Sequence, residues 1–198
     1  MIQTERERRL VREAAPQLED YLRQLELRVE FRLAEERDLP RVAQLTQKTN
    51  QFNLSLRRRT LDEIRAMGDG VEIFVISATD RFGDYGTVGA AILAAGSSGN
   101  ESVELETWLL SCRALGRGIE QAFLAFIGEA ARTRGALYLE APLVHGPRNQ
   151  PLRTFVEQSG FKAAENDLLR LNLNEIPAAP DHIRREQPER QRAAHLGG

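Results

Sequence analysis

The sequence predicts an α+β sandwich, with helices on both faces of one mixed, mostly antiparallel sheet. Between residues 29 and 174, strand and helix patterns follow each other in the order β, α, α, β, β, β, α, β, α, β. Both faces of such a sheet need to be covered, which places the helices in two layers. The decisive unit is a strand, then a loop with two glycines, then a long helix with its apolar residues on one side.

Each element has a local signal in the sequence. The first strand, at 29–33, alternates apolar and polar residues, and Asp38 is placed to cap a helix that runs to about Asn50. Thr60 and Glu63 have the spacing of a capping box for a short second helix, which ends at Gly68. The remaining elements are expected as strands at 71–78, 87–94, 103–110, 136–142 and 168–173 and as helices after Gly118 and at 151–159.

Three zones divide the chain. Residues 1–28 are highly charged and are expected to form a helical extension, which packs on the domain or on a second copy in a homodimer. Its apolar stripe consists of Leu10, Ala14, Leu18, Leu22 and Leu25. Residues 29–176 form the folded domain. Residues 177–198 contain few apolar side chains, so we expect a mobile tail in which His182 and His195 have no role.

Composition excludes several classes of protein. The formal net charge of -2 gives no general attraction to nucleic acid or to an anionic membrane. No apolar run approaches the roughly 20 residues that a membrane span requires. Cys112 is the only cysteine, and the first residues lack the apolar core of a secretory signal, so a cytoplasmic location is favoured. No group of side chains has metal-ligand spacing, and no metal is expected.

The loop at residues 113–118 (RALGRG) lies between a strand and a helix. The first N–H groups of a helix have no partner within it, and a phosphate is able to accept bonds from them. Gly116 and Gly118 lack a β-carbon and permit close approach, while Arg113 and Arg117 add positive charge at the rim. The alternative is an ordinary tight turn before a helix. The spacing of a P-loop or of a dinucleotide-binding loop is absent.

Two motifs resemble the GNAT N-acetyltransferase superfamily. Residues 113–118 match its acyl-CoA signature R/Q-x-x-G-x-G/A, and residues 149–161 (NQPLRTFVEQSGF) are similar to its later helix, which opens with Asn and closes with Gly-Phe. The stretches 46–53 (TQKTNQFN), 80–84 (DRFGD) and 109–118 further resemble the C-terminal GNAT-like region of FkbH-like proteins. Those enzymes carry a HAD-like domain that builds a glyceryl thioester on an acyl carrier protein for polyketide biosynthesis. Nothing near the start of this sequence resembles the nucleophile strand of a HAD-like domain, so we expect either a free-standing relative or an excised C-terminal domain, and we favour the former.

The resemblance implies a GNAT fold in which the fourth and fifth strands, at 103–110 and 136–142, splay apart. The pantetheine arm of acyl-CoA or of an acyl carrier protein then adds between them like a strand. Backbone N–H groups of Trp108, Leu109 and Leu110 polarise the thioester carbonyl. The donor-binding residues are therefore expected to be these three together with Arg113, Ala114, Leu115, Gly116, Arg117, Gly118, Asn149 and Phe155.

The resemblance also implies a general base on the fourth strand, for which Glu106 is the first candidate and Glu104 the second. The alternative is that both simply face solvent or pair with arginine. The family commonly places a tyrosine acid four residues before the Gly of the Gly-Phe pair, but this chain has Val156 there. Tyr138 and Tyr85 are candidate substitutes.

Two further side chains are candidates for catalysis. Cys112 lies beside Arg113 near a helix N-terminus, which favours covalent chemistry; the alternative is a small apolar residue packed beneath the loop. His145 follows the fifth strand and is either a base or acid near the donor sulfur or an exposed loop histidine.

A polar stretch ends the first helix of the domain. Gln47, Asn50 and Asn53 are expected to hydrogen-bond a small-molecule acceptor, because the first two helices border the acceptor site in this fold; the alternative is ordinary capping. The resemblance thus implies an acyltransferase that moves an acyl group from a phosphopantetheine thioester, carried by an acyl carrier protein or by coenzyme A, to an amine or related acceptor. The branch resemblance favours an acyl carrier protein as partner, in polyketide-type metabolism. A docking module that binds the pantetheine arm without catalysis is the alternative, and Val156 favours it.

Overall fold

The computed structural model describes residues 18–96 and 99–187 of the chain. These residues form eight strands and five α-helices around a single sheet, which confirms the predicted α+β class. The helices are α1 (Leu18–Gln24), α2 (Leu39–Lys48), α3 (Leu61–Arg65), α4 (Ile119–Thr133) and α5 (Gln150–Gln158). The strands are β1 (Arg28–Leu33), β2 (Glu72–Asp80), β3 (Gly83–Gly96), β4 (Gly99–Leu110), β5 (Tyr138–Pro142), β6 (Lys162–Ala163), β7 (Leu168–Asn172) and β8 (Arg184–Glu186).

The sheet has the strand order β6-β7-β5-β4-β3-β2-β1-β8. Neighbouring strands run antiparallel except at β4–β5 and at β1–β8, which are parallel pairs. β4 pairs with β5 only from Ser102 to Glu104, although β4 continues along β3 to Leu110. The two strands therefore diverge after Glu104, and this divergence opens the gap in which we expected a functional site.

Two hydrophobic clusters cover the two faces of the sheet. The larger one joins the sheet to α4 and α5, and the smaller one joins it to α2 and α3. In the smaller cluster Leu45 and Ile64 pack on Val75, Ala90 and Leu109. The predicted capping box of α3 is present, because the Thr60 hydroxyl accepts from the Glu63 N–H and the Glu63 carboxylate accepts from the Thr60 N–H. Both helical layers follow from the apolar stripes of the sequence.

Asp38 corrects one local expectation. Its carboxylate does not cap α2; it accepts hydrogen bonds from the Glu35 N–H at 2.8 Å and from the Arg32 guanidinium at 2.5 and 2.9 Å. The bonds from Arg32 hold the pKa of this carboxyl below its usual value. Asp38 thus fastens the turn that precedes α2 to strand β1.

Both ends of the described chain pack on the domain. Leu25 and Leu27, which follow α1, are fully buried, whereas the stripe residues Leu10 and Ala14 lie outside the described residues. At the other end β8 pairs with β1, and Ile183 packs against the larger core cluster. Residues 177–187 therefore differ from the expected mobile tail, and residues 188–198 lie outside the described part. Among the helices of that part, none is long and apolar enough to cross a membrane.

Gly89 allows a close approach between the central strands of this sheet. A β-carbon there would lie 2.7 Å from the Leu109 carbonyl oxygen, 2.8 Å from Leu110 Cδ1 and 2.9 Å from Ile76 Cγ2. Gly89→Ala is expected to reduce the free energy of unfolding by about 1–3 kcal/mol, because backbone atoms cannot move away cheaply. Urea denaturation measures this, with Gly68→Ala as the matched control, since a β-carbon at Gly68 meets nothing within 4 Å. Equal midpoints for the two variants would contradict this account of β3 packing.

Candidate active site

The gap between β4 and β5 is occupied by the chain itself. Residues 52–54, which belong to the connection between α2 and α3, lie beside the diverging end of β4. The Leu110 N–H donates to the Phe52 carbonyl at 3.0 Å, and the Leu54 N–H donates to the Trp108 carbonyl at 2.9 Å. The Val144 N–H, just beyond β5, donates to the Leu54 carbonyl at 3.1 Å. The connection therefore bridges the two strands where the sequence predicted free backbone groups.

Three aromatic rings pack against one another beneath this connection, in the core. The Phe52 ring lies 5.1 Å from the Trp108 ring and 5.6 Å from the Phe155 ring, and Trp108 and Phe155 are 5.4 Å apart. Phe52 and Trp108 are buried. The Trp108 indole N–H has no hydrogen-bond partner among the described residues. Phe155, which we expected to bind the donor, packs within this aromatic cluster.

Two buried asparagines fix the backbone of the bridge through side-chain hydrogen bonds. Asn53, expected to contact the acceptor, is buried; its amide donates to the Thr49 carbonyl and accepts from the Leu56 N–H. Asn149, expected to contact the donor, is fully buried and donates to the Val144 carbonyl at 2.7 Å while accepting from the Gly146 N–H at 2.9 Å. Both side chains therefore satisfy backbone groups of the segments that they join.

A half-buried carboxylate marks the point where β4 and β5 part. Glu104 is the last residue of β4 paired with β5, and its register partner is Glu140. Burial raises the pKa of the Glu104 carboxyl, and the neighbouring charges of Glu106 and Glu140 raise it further. Glu140 is paired with Arg170 at 2.6 Å, but no hydrogen bond or ion pair reaches the Glu104 side chain within the residues that the structure describes. A free carboxylate with a raised pKa is suited to accept a proton.

Glu106, the first candidate base, forms ion pairs with two arginines. Arg57 Nη1 lies 2.6 Å from its carboxylate, and the buried Arg59 guanidinium contacts the same oxygen and also the Thr107 hydroxyl at 3.0 Å. The pairing between β3 and β4 skips Glu106, so this residue forms a β-bulge. These pairs fix the second part of the connection between α2 and α3 over β4. The two glutamates therefore differ sharply, and Glu104 is the better placed proton acceptor.

The loop at residues 113–118 has its two glycines where the sequence predicted a close turn, but one of its arginines points into the protein. Gly116 and Gly118 have left-handed backbone angles, φ 72° and 84°, and Gly118 caps α4. Arg113 is exposed, whereas Arg117 turns inward: its guanidinium contacts the Tyr85 hydroxyl, and that hydroxyl donates to Asp80 at 2.5 Å. The Arg117 side chain is only 15% exposed, so it is not at the rim as predicted. Ala114 is buried and Leu115 packs against the core.

Two residues that the sequence reading did not single out close the loop. Glu120, on the first turn of α4, is 8% exposed, and one of its carboxylate oxygens accepts from the Gly116 N–H at 3.0 Å. Its other oxygen has no partner among the described groups. His182, assigned to the tail, lies 2.8 Å from the Arg117 carbonyl, and a β-carbon on Gly118 would meet its ring at 3.1 Å. The sequence signal for packing of this segment on the domain is weak, a single apolar residue, Ile183.

Glu120→Gln is expected to stabilise the protein increasingly as pH rises. Burial raises the pKa of the Glu120 carboxyl above the usual 4.5, since it penalises the charged form. The wild type therefore loses stability as pH increases through this raised pKa, and the neutral variant does not. The melting temperature of the variant should exceed that of the wild type by about 2–4 °C at pH 7 and should match it near pH 4. The control Glu129→Gln, at an exposed site on α4, should show no such trend.

The other predicted residues are scattered around the gap. His145 is exposed, and its ring lies 3.2 Å from the Arg153 guanidinium. Cys112 is exposed, so it is not packed beneath the loop. Gln47 reaches the Arg59 carbonyl at 3.4 Å, while Asn50 is half-buried beside Cys112. Val156 is buried in the core, which leaves no proton donor at that position.

Known structures share this architecture. No protein-family model matches the sequence, and no sequence among the curated proteins matches it. A protein from Desulfovibrio desulfuricans assigned to the GNAT family of acetyltransferases is 20% identical, with a TM-score of 0.55 over 73% of this chain and 99% of that chain. YncA from Salmonella typhimurium, determined with its cofactor acetyl-CoA, is 15% identical with a TM-score of 0.52, over 77% and 98% of the two chains.

A third similar structure is the aminoglycoside acetyltransferase AAC(6')-Ib in complex with coenzyme A. It is 14% identical with a TM-score of 0.52, over 74% of this chain and 96% of that chain. All three structures match nearly along their whole length, and the predicted splay of the fourth and fifth strands is present here. At these identities the match establishes the architecture. The chain has the fold of the GNAT acetyltransferases.

Proposed function

We propose that this protein is an acyltransferase that moves an acyl group from a phosphopantetheine thioester to an amine. The observation that carries the proposal is Glu104, which lies where the splayed strands part and whose carboxylate has no hydrogen bond or ion pair to any described residue. Burial and two neighbouring carboxylates raise its pKa. Similar structures hold acetyl-CoA or coenzyme A, which supports a thioester as the donor. The likeness to FkbH-like proteins favours an acyl carrier protein as the carrier, in polyketide-type metabolism.

The chemistry assigned to the chain is a direct transfer. The amine nitrogen forms a bond to the thioester carbonyl carbon, the carbon–sulfur bond breaks, and Glu104 accepts the proton that the nitrogen loses. The thiolate leaves without a dedicated acid, because Val156 lies in the core and the buried Tyr85 hydroxyl is bonded to Asp80. The pantetheine arm of the donor is able to hydrogen-bond to the edge of β4 only when the backbone bonds between residues 52–54 and Trp108 and Leu110 break.

The occupation of the gap between β4 and β5 by residues 52–54 favours a second function, which is binding without catalysis. A docking module would bind a carrier protein or its pantetheine arm at the surface without turnover, and it would tolerate both the filled gap and Val156. The two functions differ in whether a thioester is consumed.

Mass spectrometry of reaction mixtures separates these functions. The protein is incubated with acyl thioesters of coenzyme A and of an acyl carrier protein, with and without a panel of primary amines. Acyl transfer predicts an acylated amine and an equal amount of free thiol. Thioester binding with no thiol release would support the docking module, and absence of binding to either carrier would overturn both functions.

A further inference from the structure

A segment at residues 50–57, between α2 and α3, lies along β4 like an added strand. Asn53 forms a β-bridge with Leu109, and the bonds on either side of this bridge use the Trp108 carbonyl and the Leu110 N–H. An extended ligand that adds to this edge of β4 requires the same two backbone groups. The segment and such a ligand therefore exclude each other.

The side-chain contacts that this segment makes along β4 are weak. The Ser55 hydroxyl lies 3.3 Å from the Thr107 hydroxyl, and Arg57, whose side chain is 66% exposed, pairs with Glu106 at 2.6 Å. An ion pair with so exposed a partner contributes little to stability. Leu56 has a left-handed backbone, with φ at 50°, which costs energy in a residue other than glycine. Separation of the segment from β4 therefore breaks few strong polar contacts.

Apolar side chains favour the closed position of the segment. Phe52 and Leu54 are buried in the larger core cluster. The chain is fixed beyond both ends of the segment, since Thr49 is buried and the Arg59 N–H donates to the Thr46 hydroxyl at 3.0 Å. The closed position is thus the more stable one, and a ligand that binds only the open position shifts the population toward it.

We propose that residues 50–57 are a gate over the donor edge of β4, closed by their own strand pairing and opened by the pantetheine arm that takes their place. The proposal rests on the proposed function for the identity of the ligand. It adds that the free protein keeps its donor edge occupied, so that binding of a thioester and displacement of the gate are one event. Between Thr49 and Arg59 the gate moves as a unit, while β4 and its pairing with β3 stay in place.

A reversible disulfide across the closed gate tests the proposal. In the variant S55C/T107C/C112S only the engineered thiols are able to bond to each other, and the hydroxyls that they replace lie 3.3 Å apart. The oxidised form should bind coenzyme A at least about tenfold more weakly than the reduced form of the same variant, because the locked gate has no open population. Calorimetric titration measures both affinities.

The reduced form is the matched control, since it carries the same three substitutions. C112S without the engineered pair should bind coenzyme A alike under oxidising and reducing conditions. Equal affinities of the oxidised and reduced forms of S55C/T107C/C112S would overturn the proposal. Failure of the two thiols to bond in the ligand-free protein would contradict the closed position of the gate itself.

Amide hydrogen exchange follows the gate in the wild type. With coenzyme A bound, the Leu54 and Val144 amides should exchange at least about tenfold faster, because the bonds that they make in the closed gate are lost. The Leu110 amide should stay protected, since the arm replaces its acceptor. The Ser111 amide, which donates to the Val88 carbonyl at 2.7 Å, is the control and should not change. Unchanged exchange at Leu54 and Val144 in the complex would overturn the gate.

Thioester turnover separates the gate from the proposed function. An oxidised S55C/T107C/C112S that releases thiol as fast as its reduced form would leave the acyltransferase standing while the gate fails. Binding of coenzyme A by the reduced form alone, with no thiol released from its acyl thioesters, would support the gate and contradict acyl transfer. Absence of binding of coenzyme A and of a phosphopantetheinylated acyl carrier protein to the wild type would overturn both.

Discussion

Phe52→Ala is expected to lower the free energy of unfolding by about 3–5 kcal/mol, the cost of removing a buried aromatic ring. For a chain of this length that corresponds to a melting temperature lower by roughly 6–20 °C. The effect is expected to be large because Phe52 is 1% exposed and packs against the rings of Trp108 and Phe155 at the base of the gap. Differential scanning calorimetry measures the loss.

The matched control for this substitution is Phe82→Ala in the turn between β2 and β3. Phe82 is half-buried and stacks against Arg81, so its truncation should cost less than about 1 kcal/mol. Trp108 is the only tryptophan, and its fluorescence should shift to longer wavelength in Phe52→Ala alone, as water reaches the indole. Equal melting temperatures for the two variants would contradict the placement of residues 52–54 in the gap.

Glu104→Gln is expected to abolish most of the proposed acyl transfer, lowering kcat by about 10²–10⁴-fold. The amide cannot accept the proton of the attacking amine, and the two neighbouring carboxylates, Glu106 and Glu140, are both paired with arginine. Folding should not suffer, since the substitution removes a charge that burial and two like charges disfavour. Steady-state kinetics with the best donor and amine measures the effect, and the melting temperature should be unchanged or higher.

Glu106→Gln is the matched control, two residues along the same strand. Glu106 is bound to Arg57 and Arg59, so its loss should leave at least about a tenth of the wild-type kcat if Glu104 is the base. Its melting temperature should fall, because the buried Arg59 loses a partner. The reverse ranking, with Glu106→Gln inactive and Glu104→Gln active, would assign the base to Glu106.

The order of the elements could be predicted because apolar periodicity and capping residues are local signals. The Thr60–Glu63 box and the start of α4 at Gly118 are set by residues within four positions of each other. Asp38 was the exception, since its partner Arg32 competed for the carboxylate that was expected to cap α2.

The site was harder to predict because its contacts are distant in sequence. Nothing in the neighbouring sequence indicates that residues 52–54 pair with β4 some 55 positions later. Asn53 was therefore predicted to contact the acceptor, whereas its side chain bonds to the backbone of its own connection. Glu104 and Glu106 are alike in the sequence. Their difference comes from arginines 47 and 49 positions away, which bond to the Glu106 carboxylate. His182 meets the loop after Arg117 because β8 pairs with β1, a contact between the two ends of the described chain.

The pH dependence of kcat/KM tests most directly whether Glu104 accepts the proton. This ratio reports the pKa of the base in the free enzyme, and activity is lost as pH falls through it. The account predicts an acid limb above the ordinary glutamate value of 4.5 in the wild type. In Glu106→Gln the limb should move to lower pH, because removing a neighbouring negative charge lowers the pKa of Glu104. An acid limb that stays in place in Glu106→Gln, or one at or below 4.5 in the wild type, would contradict it.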